Sequence, residues 1–67
     1  MKVSYKPLWK LLIDREMTRT ALFTGAGVST GCMGRMRRGE PVSLGVLMKI
    51  CKHLNCNIED VVQFERN

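Results

Sequence analysis

The segment that decides the fold is TRTALFTGAGVSTGCMGRMRRG, residues 18–39. Thr18 and Ser29 each precede a short stretch that can form a helix, and a hydroxyl side chain at that position caps a helix N-terminus. Between them lies Gly27, which can take the positive φ angle that a tight turn requires. Gly39 follows two arginines, a pattern that is common where helices end. The segment therefore predicts two short helices joined by a tight turn.

Three further helices are predicted around this pair. The first runs from Ser4 to Arg15, with Ser4 as its N-cap and Pro7 in its first turn. The next is capped by Ser43 and carries apolar residues three and four apart, namely Leu44, Leu47, Met48, Cys51 and Leu54. The last is capped by Asn57 and has acidic residues in its first turn. No segment alternates with a period of two, so we expect an all-α, compact five-helix bundle without a sheet.

The length of the chain limits what this bundle can bury. A length of 67 residues predicts one domain over residues 1–67, in which nearly all apolar side chains are needed for the core. We expect Met48 to be packed as well, because it has core spacing. The predicted core is Leu8, Leu12, Leu22, Val28, Met33, Met36, Leu47, Ile50, Leu54, Ile58 and Val61.

Two classes of protein are disfavoured by composition. No apolar run is long enough for a membrane span, and the charged first residues lack a signal-peptide core, so a cytoplasmic protein is expected. The three cysteines do not suit a disulfide framework. Cys51, His53 and Cys56 do not have a usual zinc spacing, and we interpret them as two packed thiols and a surface histidine, with no metal or cofactor.

The charge of the chain indicates a polyanionic partner. Eleven basic residues against six acidic ones give a net charge of +5, and Arg35, Arg37 and Arg38 cluster at the end of the second predicted helix of residues 18–39. Two short helices crossing at a glycine turn, with arginines on the second, are what a helix-turn-helix unit requires. The second helix would then enter the major groove of DNA.

A longer pattern extends from about Tyr5 to Phe64 and carries a family resemblance. It comprises Leu22, Gly27-Val28-Ser29, the arginine-rich helix ending at Gly39-Glu40, then Pro41-x-Ser43-x-x-x-Leu47-x-x-Ile50-x-x-x-Leu54 and Ile58-Glu59-Asp60-Val61. In this the chain resembles the Cro/C1-type helix-turn-helix regulators of phages and bacteria. The resemblance implies a lambda-repressor-like fold, double-stranded DNA as the partner, a homodimer on a two-fold operator, and regulation of transcription. It implies no small-molecule substrate.

The resemblance also assigns DNA contacts, with a recognition helix at about residues 29–38. Arg19 and Ser29 match positions that meet the phosphate backbone, and Arg37 and Arg38 lie near the flanking backbone. The base-facing positions are Thr30, Gly31, Gly34 and Arg35. We expect Arg35 to read a base, because a guanidinium group can bond to O6 and N7 of guanine together. Gly31 and Gly34 depart from the family, which usually carries longer side chains there.

Other functions remain as alternatives at this stage. A protein-interaction module, such as an adaptor or antirepressor, would keep the fold without base readout, and a non-specific nucleoid-type binder lies between the two. The stretch from Phe23 to Thr30 is similar to the nucleotide-binding signature of sirtuin deacylases, but the chain has no room for their sheet. His53 has no nucleophile or carboxylate at a useful spacing, so an enzyme is not expected.

Overall fold

The computed structural model describes residues 1–66 and consists of four α-helices, one 3-10 turn and two short strands. Asn67, the last residue of the predicted domain, lies outside the described residues. In chain order the elements are β1 (Lys2–Ser4), α1 (Lys6–Asp14), α2 (Arg19–Ala26), α3 (Thr30–Arg37), α4 (Leu44–Leu54), the 3-10 turn (Ile58–Asp60) and β2 (Gln63–Glu65).

Three of the predicted caps begin helices as expected. Each cap residue has an extended backbone, and its hydroxyl accepts a hydrogen bond from the backbone N–H three residues later. These bonds are Ala21 to Thr18 at 3.0 Å, Cys32 to Ser29 at 3.3 Å and Val46 to Ser43 at 3.2 Å. Local sequence therefore sets where α2, α3 and α4 begin.

A small sheet joins the two ends of the chain, and the prediction of no sheet was wrong. β1 pairs antiparallel with β2, so that Val3 lies opposite Phe64. Ser4 belongs to β1 instead of capping α1, although its hydroxyl accepts a hydrogen bond from the N–H of Lys6 at 3.3 Å. Each strand has only three residues, which is too short to show a two-residue alternation in the sequence.

The predicted fifth helix is a single 3-10 turn, so the five-helix count was also wrong. The N–H of Asn57 donates to the Asp60 carboxylate at 3.1 Å, and the N–H of Val61 bonds back to the Ile58 carbonyl at 3.0 Å. The chain must extend again from Gln63 to pair with β1, which leaves room for only one turn. As a result Val61 is buried, whereas Ile58, which we expected in the core, is exposed.

The core forms where α1, α2 and α4 meet the end of α3 and the 3-10 turn. Its buried side chains are Tyr5, Leu8, Leu12, Leu22, Phe23, Met36, Leu47, Ile50, Leu54 and Val61. Eight of these were predicted. Tyr5 and Phe23 were missed, while Val28 and Met33 are only half-buried against the core. Met48 is 64% exposed, which contradicts its predicted packing.

Tyr5 shows how an aromatic residue at a helix start joins the core. Its ring is buried, and its hydroxyl donates to the Glu40 carbonyl at 2.8 Å, which fixes the connector between α3 and α4 against the start of α1. Burial raises the pKa of the Tyr5 hydroxyl above its ordinary value.

Helices α2 and α4 approach each other closely at Gly25. A Cβ atom there would lie 2.6 Å from Cε1 of His53, which is shorter than any normal contact. His53 is otherwise exposed, as predicted. A side chain larger than hydrogen at position 25 would therefore require the imidazole of His53 to rotate away.

Two cysteines pack together where α4 ends. Asn55 has a φ angle of +53°, and the N–H of Cys56 donates to the Cys51 carbonyl at 3.0 Å, the long bond of a Schellman motif. An apolar pair commonly packs at these two positions, and here both are free, half-buried thiols. Burial, reinforced by Cys51, raises the pKa of the Cys56 thiol to about 11.

This shift predicts that stability falls at alkaline pH. The Cys56 proton is held more tightly in the folded chain, so the contribution is complete below about pH 9 and is lost as the pH rises toward 11. Urea unfolding of the wild type should show this loss between about pH 9 and 11, and Cys56→Ala should lose less stability over the same range. The same pH dependence in both proteins would contradict the assignment to Cys56.

Candidate nucleic-acid interface

The turn between α2 and α3 contains only two residues before the Ser29 cap. Gly27 has a φ angle of +74°, as its position in the sequence predicted, and ends α2. The N–H of Val28 then donates to the Phe23 carbonyl at 2.9 Å. The turn therefore redirects the chain abruptly, so that α3 begins next to the end of α2.

Helix α3 divides into an inner and an outer face. Met36 is buried and Met33 is half-buried against the core. On the other side, Thr30, Gly31 and Arg35 are exposed. No residue of α3 is acidic, and its last turn carries Arg35 and Arg37. The outer face of α3 is thus a short, exposed and positively charged surface.

Gly31 and Gly34 lie in ordinary helical conformations, and an added Cβ atom at either position would make no contact shorter than 3.4 Å. A Cβ atom on Gly31 would find only the Ser29 hydroxyl, at 3.8 Å. One on Gly34 would meet the end of the Arg38 side chain at 3.4 Å. Neither glycine is required by the backbone or by packing within the chain, since positive φ angles among the glycines occur only at Gly27 and Gly39.

Arg19 is held at the start of α2 by an aromatic ring. Its guanidinium carbon lies 4.1 Å from the ring centroid of Trp9 on α1, a cation–π contact. Trp9 had no assigned role in the sequence, because a contact between residues of different helices leaves no local pattern.

The remaining arginines differ in how they are paired. The Arg38 side chain donates to the Glu40 carboxylate, which partly neutralises it. Within residues 1–66, Arg35 and Arg37 form no ion pair. Binding of an anion to Arg35 or Arg37 therefore breaks no ion pair among the described residues, whereas Arg38 would have to exchange Glu40 for the anion.

Two cavities on this side of the protein share Arg37 and Arg38. One has a volume of about 370 Å³ and is lined by Gly34, Arg37 and Arg38. The other, of about 320 Å³, extends from Arg37 and Arg38 to Trp9 and to two residues that the sequence analysis missed, Lys2 and Lys6. Trp9 thereby connects Arg19 to the same region. Ser29 and Thr30 lie at the opposite end of α3.

Within residues 1–66, no three histidine, cysteine or acidic side chains are placed so that they would hold a metal ion. None of the helices there has the length and apolar character needed to cross a bilayer.

Comparisons with known proteins agree with this geometry. Residues 7–67 match the family described as the Cro/C1-type helix-turn-helix DNA-binding domain. Among solved structures, the transcriptional regulator VanUg, crystal form II, is similar with a TM-score of 0.95 and 42% sequence identity, over 98% of this chain and 88% of that one. No match was found among the curated proteins.

Proposed function

The chain belongs to the Cro/C1-type helix-turn-helix family of DNA-binding domains, and from this premise we propose that it binds specific sites on double-stranded DNA and regulates transcription. Its residues act as one DNA-binding domain, with α3 as the recognition helix. The domain is no enzyme and needs no cofactor.

One observation carries this proposal. The α2–α3 unit presents an exposed helix without acidic residues, and arginines lie in its last turn. B-form DNA has a major groove wide enough for one helix and a backbone that attracts such charges. Arg35 then reads a guanine, and Thr30 faces the bases from the first turn of α3. Arg19, Ser29, Arg37 and Arg38 meet phosphates, and Gly31 and Gly34 let the α3 backbone approach the DNA.

Methylation interference tests which groove α3 enters. Duplexes selected from a random library are treated with dimethyl sulfate, which modifies guanine N7 in the major groove and adenine N3 in the minor groove. Blocked binding by guanine N7 methylation is expected, because Arg35 would lose its acceptor. Interference from adenine N3 alone would contradict the proposed docking of α3.

The glycines of α3 give a matched comparison with α4. Gly31 and Gly45 both lie two residues after a serine cap, and an added Cβ would be 3.8 Å from the serine hydroxyl in each case. Alanine at either position should stabilise the fold by about 0.4–1 kcal/mol. Gly27→Ala should instead destabilise it by about 1–2 kcal/mol, because the φ angle there is positive.

DNA affinity should separate Gly31→Ala from Gly45→Ala. If α3 approaches DNA closely, the methyl group at position 31 weakens the complex, whereas that at position 45 leaves it unchanged. Thermal unfolding and fluorescence anisotropy of both variants provide the two measurements. Unchanged or tighter DNA binding by Gly31→Ala would contradict a close approach.

The chain acts on DNA as a homodimer in this proposal, and an apolar groove supports a second copy as the occupant. A cavity of about 280 Å³ is lined almost entirely by apolar side chains, including Leu44, Ile58 and Phe64, all of them exposed. Phe64 lines the cavity, and 69% of it is exposed. In a two-fold dimer, the exposed Phe64 ring of each copy could therefore pack into the cavity of the other copy. The cavity includes none of the proposed DNA contacts.

Sedimentation equilibrium tests the dimer. Phe64→Asp should convert a dimer to a monomer, while Ile13→Asp, a change at a similarly exposed residue outside the cavity, should leave the dimer intact. A wild-type monomer at tens of micromolar, or equal association of both variants, would contradict this arrangement.

The competing function is a protein-interaction module. It is favoured by Gly31 and Gly34, which give α3 no side chain for reading bases at two outward positions. A folded protein that binds no duplex at low salt would support it in place of the proposal above.

A further inference from the structure

A continuous basic groove runs from the outer face of α3 to the N-terminal end of the chain. It consists of the two cavities that share Arg37 and Arg38, with Gly34 at one end and Lys2 and Lys6 at the other. We refer to these two cavities together as the basic groove. Four basic side chains line it, so its field favours an extended anion.

The two lysines are placed by secondary structure that the sequence did not predict. Lys2 lies in β1 and is directly opposite Glu65 in the sheet, and Lys6 is the first residue of α1. Both precede the segment that matches the family, residues 7–67. The lysine end of the basic groove is therefore a feature of this chain in addition to the family's helix-turn-helix unit.

An internal carboxylate occupies the groove in the free protein. Glu65 lines it and forms an ion pair with Lys6, with 3.7 Å between Oε1 and Nζ. The Lys6 side chain is 73% exposed, and ion pairs of that kind are weak in water. A hydrogen bond from Ser4, followed by the charges of Lys6 and Lys2, lowers the pKa of Glu65, so this carboxylate is ionised at neutral pH. An entering phosphate would replace Glu65 as the partner of Lys6.

An aromatic wall borders the same groove. Trp9 lines it and is half-buried, and the guanidinium group of Arg19 is stacked on its ring. Arg19 itself lines neither cavity. Trp9 is also the only tryptophan of the chain, so its emission reports on what enters.

We propose that the basic groove binds phosphate groups of the DNA backbone that flanks the bases contacted by α3, with Lys2 and Lys6 as direct contacts. This rests on the proposed DNA-binding function and extends it to β1 and to the start of α1. In this arrangement the DNA backbone passes Arg37 and Arg38, which the two cavities share, and reaches Lys2 and Lys6 in the cavity that does not include Gly34.

The salt dependence of DNA binding tests the lysines. The variant Lys2→Gln/Lys6→Gln is compared with Lys49→Gln/Lys52→Gln, which removes the same charge from a separate cavity beside Gly25. Removing one lysine that neutralises a phosphate should reduce the fall in affinity between about 50 and 200 mM salt by about 3.5-fold. We expect a reduction of this size from each of the two groove lysines in the double variant. The control pair should have a much smaller effect.

Removing the Glu65 carboxylate should strengthen DNA binding, whereas removing the groove lysines should weaken it. Glu65→Gln frees Lys6 and should tighten DNA binding at low salt by several-fold. Glu59→Gln makes the same change in net charge outside the groove and should have a smaller effect. Circular dichroism confirms that both variants retain the fold.

Inorganic phosphate distinguishes DNA from a free anion as the source of the phosphate group. DNA should change Trp9 emission, whereas inorganic phosphate should produce no saturable change at the same ionic strength. Saturable binding of inorganic phosphate would overturn the assignment to the DNA backbone.

If the wild type binds DNA but both lysine pairs behave alike, the groove proposal fails while the proposed function stands. If the wild type binds no duplex at low salt, both fail.

Discussion

Replacing Leu8 by alanine is expected to lower the free energy of unfolding by about 2–5 kcal/mol. Leu8 is fully buried on α1, in the core shared with α2 and α4, so the smaller side chain leaves a cavity. A domain of this size has a total stability of about 3–10 kcal/mol, so this loss is a large fraction of the total.

Ile13→Ala is the matched control on the same helix. Ile13 is 75% exposed, and losing its side chain should change stability by less than about 0.5 kcal/mol. Urea unfolding followed by circular dichroism measures both variants. Equal losses at Leu8 and Ile13 would contradict the described core.

Replacing Arg35 by alanine is expected to weaken binding to the preferred DNA site by about 1–3 kcal/mol, which is about 5- to 150-fold. Binding to a scrambled duplex should change much less, because Arg35 reads a base in the proposed complex. Stability should be unaffected, since Arg35 is exposed and forms no ion pair among residues 1–66.

Arg37→Ala is the comparison for Arg35, two residues away on α3. Arg37 lines the basic groove, so its loss should weaken both duplexes by a similar factor and lower the salt dependence by about one unit of slope. Arg19→Ala and Arg38→Ala should follow the same pattern, with Arg38 giving less because Glu40 already pairs with it. If Arg35→Ala and Arg37→Ala have the same pattern, then Arg35 is only a phosphate contact.

The helix boundaries could be predicted because their causes are local. Thr18, Ser29 and Ser43 cap helices through hydrogen bonds that span three residues, and Gly27 turns the chain through its own backbone angle. The family resemblance, which the comparison over residues 7–67 confirms, also depends on these positions.

The ends of the chain could not be predicted because their structure depends on distant pairing. Ser4 looks like a helix cap from its neighbours alone, but pairing with β2 places it in a strand. The same pairing shortens the expected fifth helix and exposes Ile58.

The candidate interface was affected in the same way. The contacts on α3 were assigned by the family resemblance, whereas Lys2 and Lys6 come together with Arg37 and Arg38 only through the pairing of β1 with β2. The stacking of Arg19 on Trp9 likewise depends on how α1 and α2 pack. Local sequence patterns do not reveal side chains that tertiary structure brings together, and the contacts assigned to α3 stay predictions.

Titration of the wild type with a selected duplex and a scrambled duplex, over a range of salt concentrations, tests most directly whether this chain is a sequence-specific DNA-binding protein. We predict that both affinities fall as salt rises, and that the selected duplex binds at least about 10³-fold more tightly at physiological salt. Equal binding of both duplexes would contradict sequence-specific recognition and favour a nucleoid-type protein. The absence of binding to either duplex at low salt, by a protein that circular dichroism shows to be folded, would contradict DNA binding altogether.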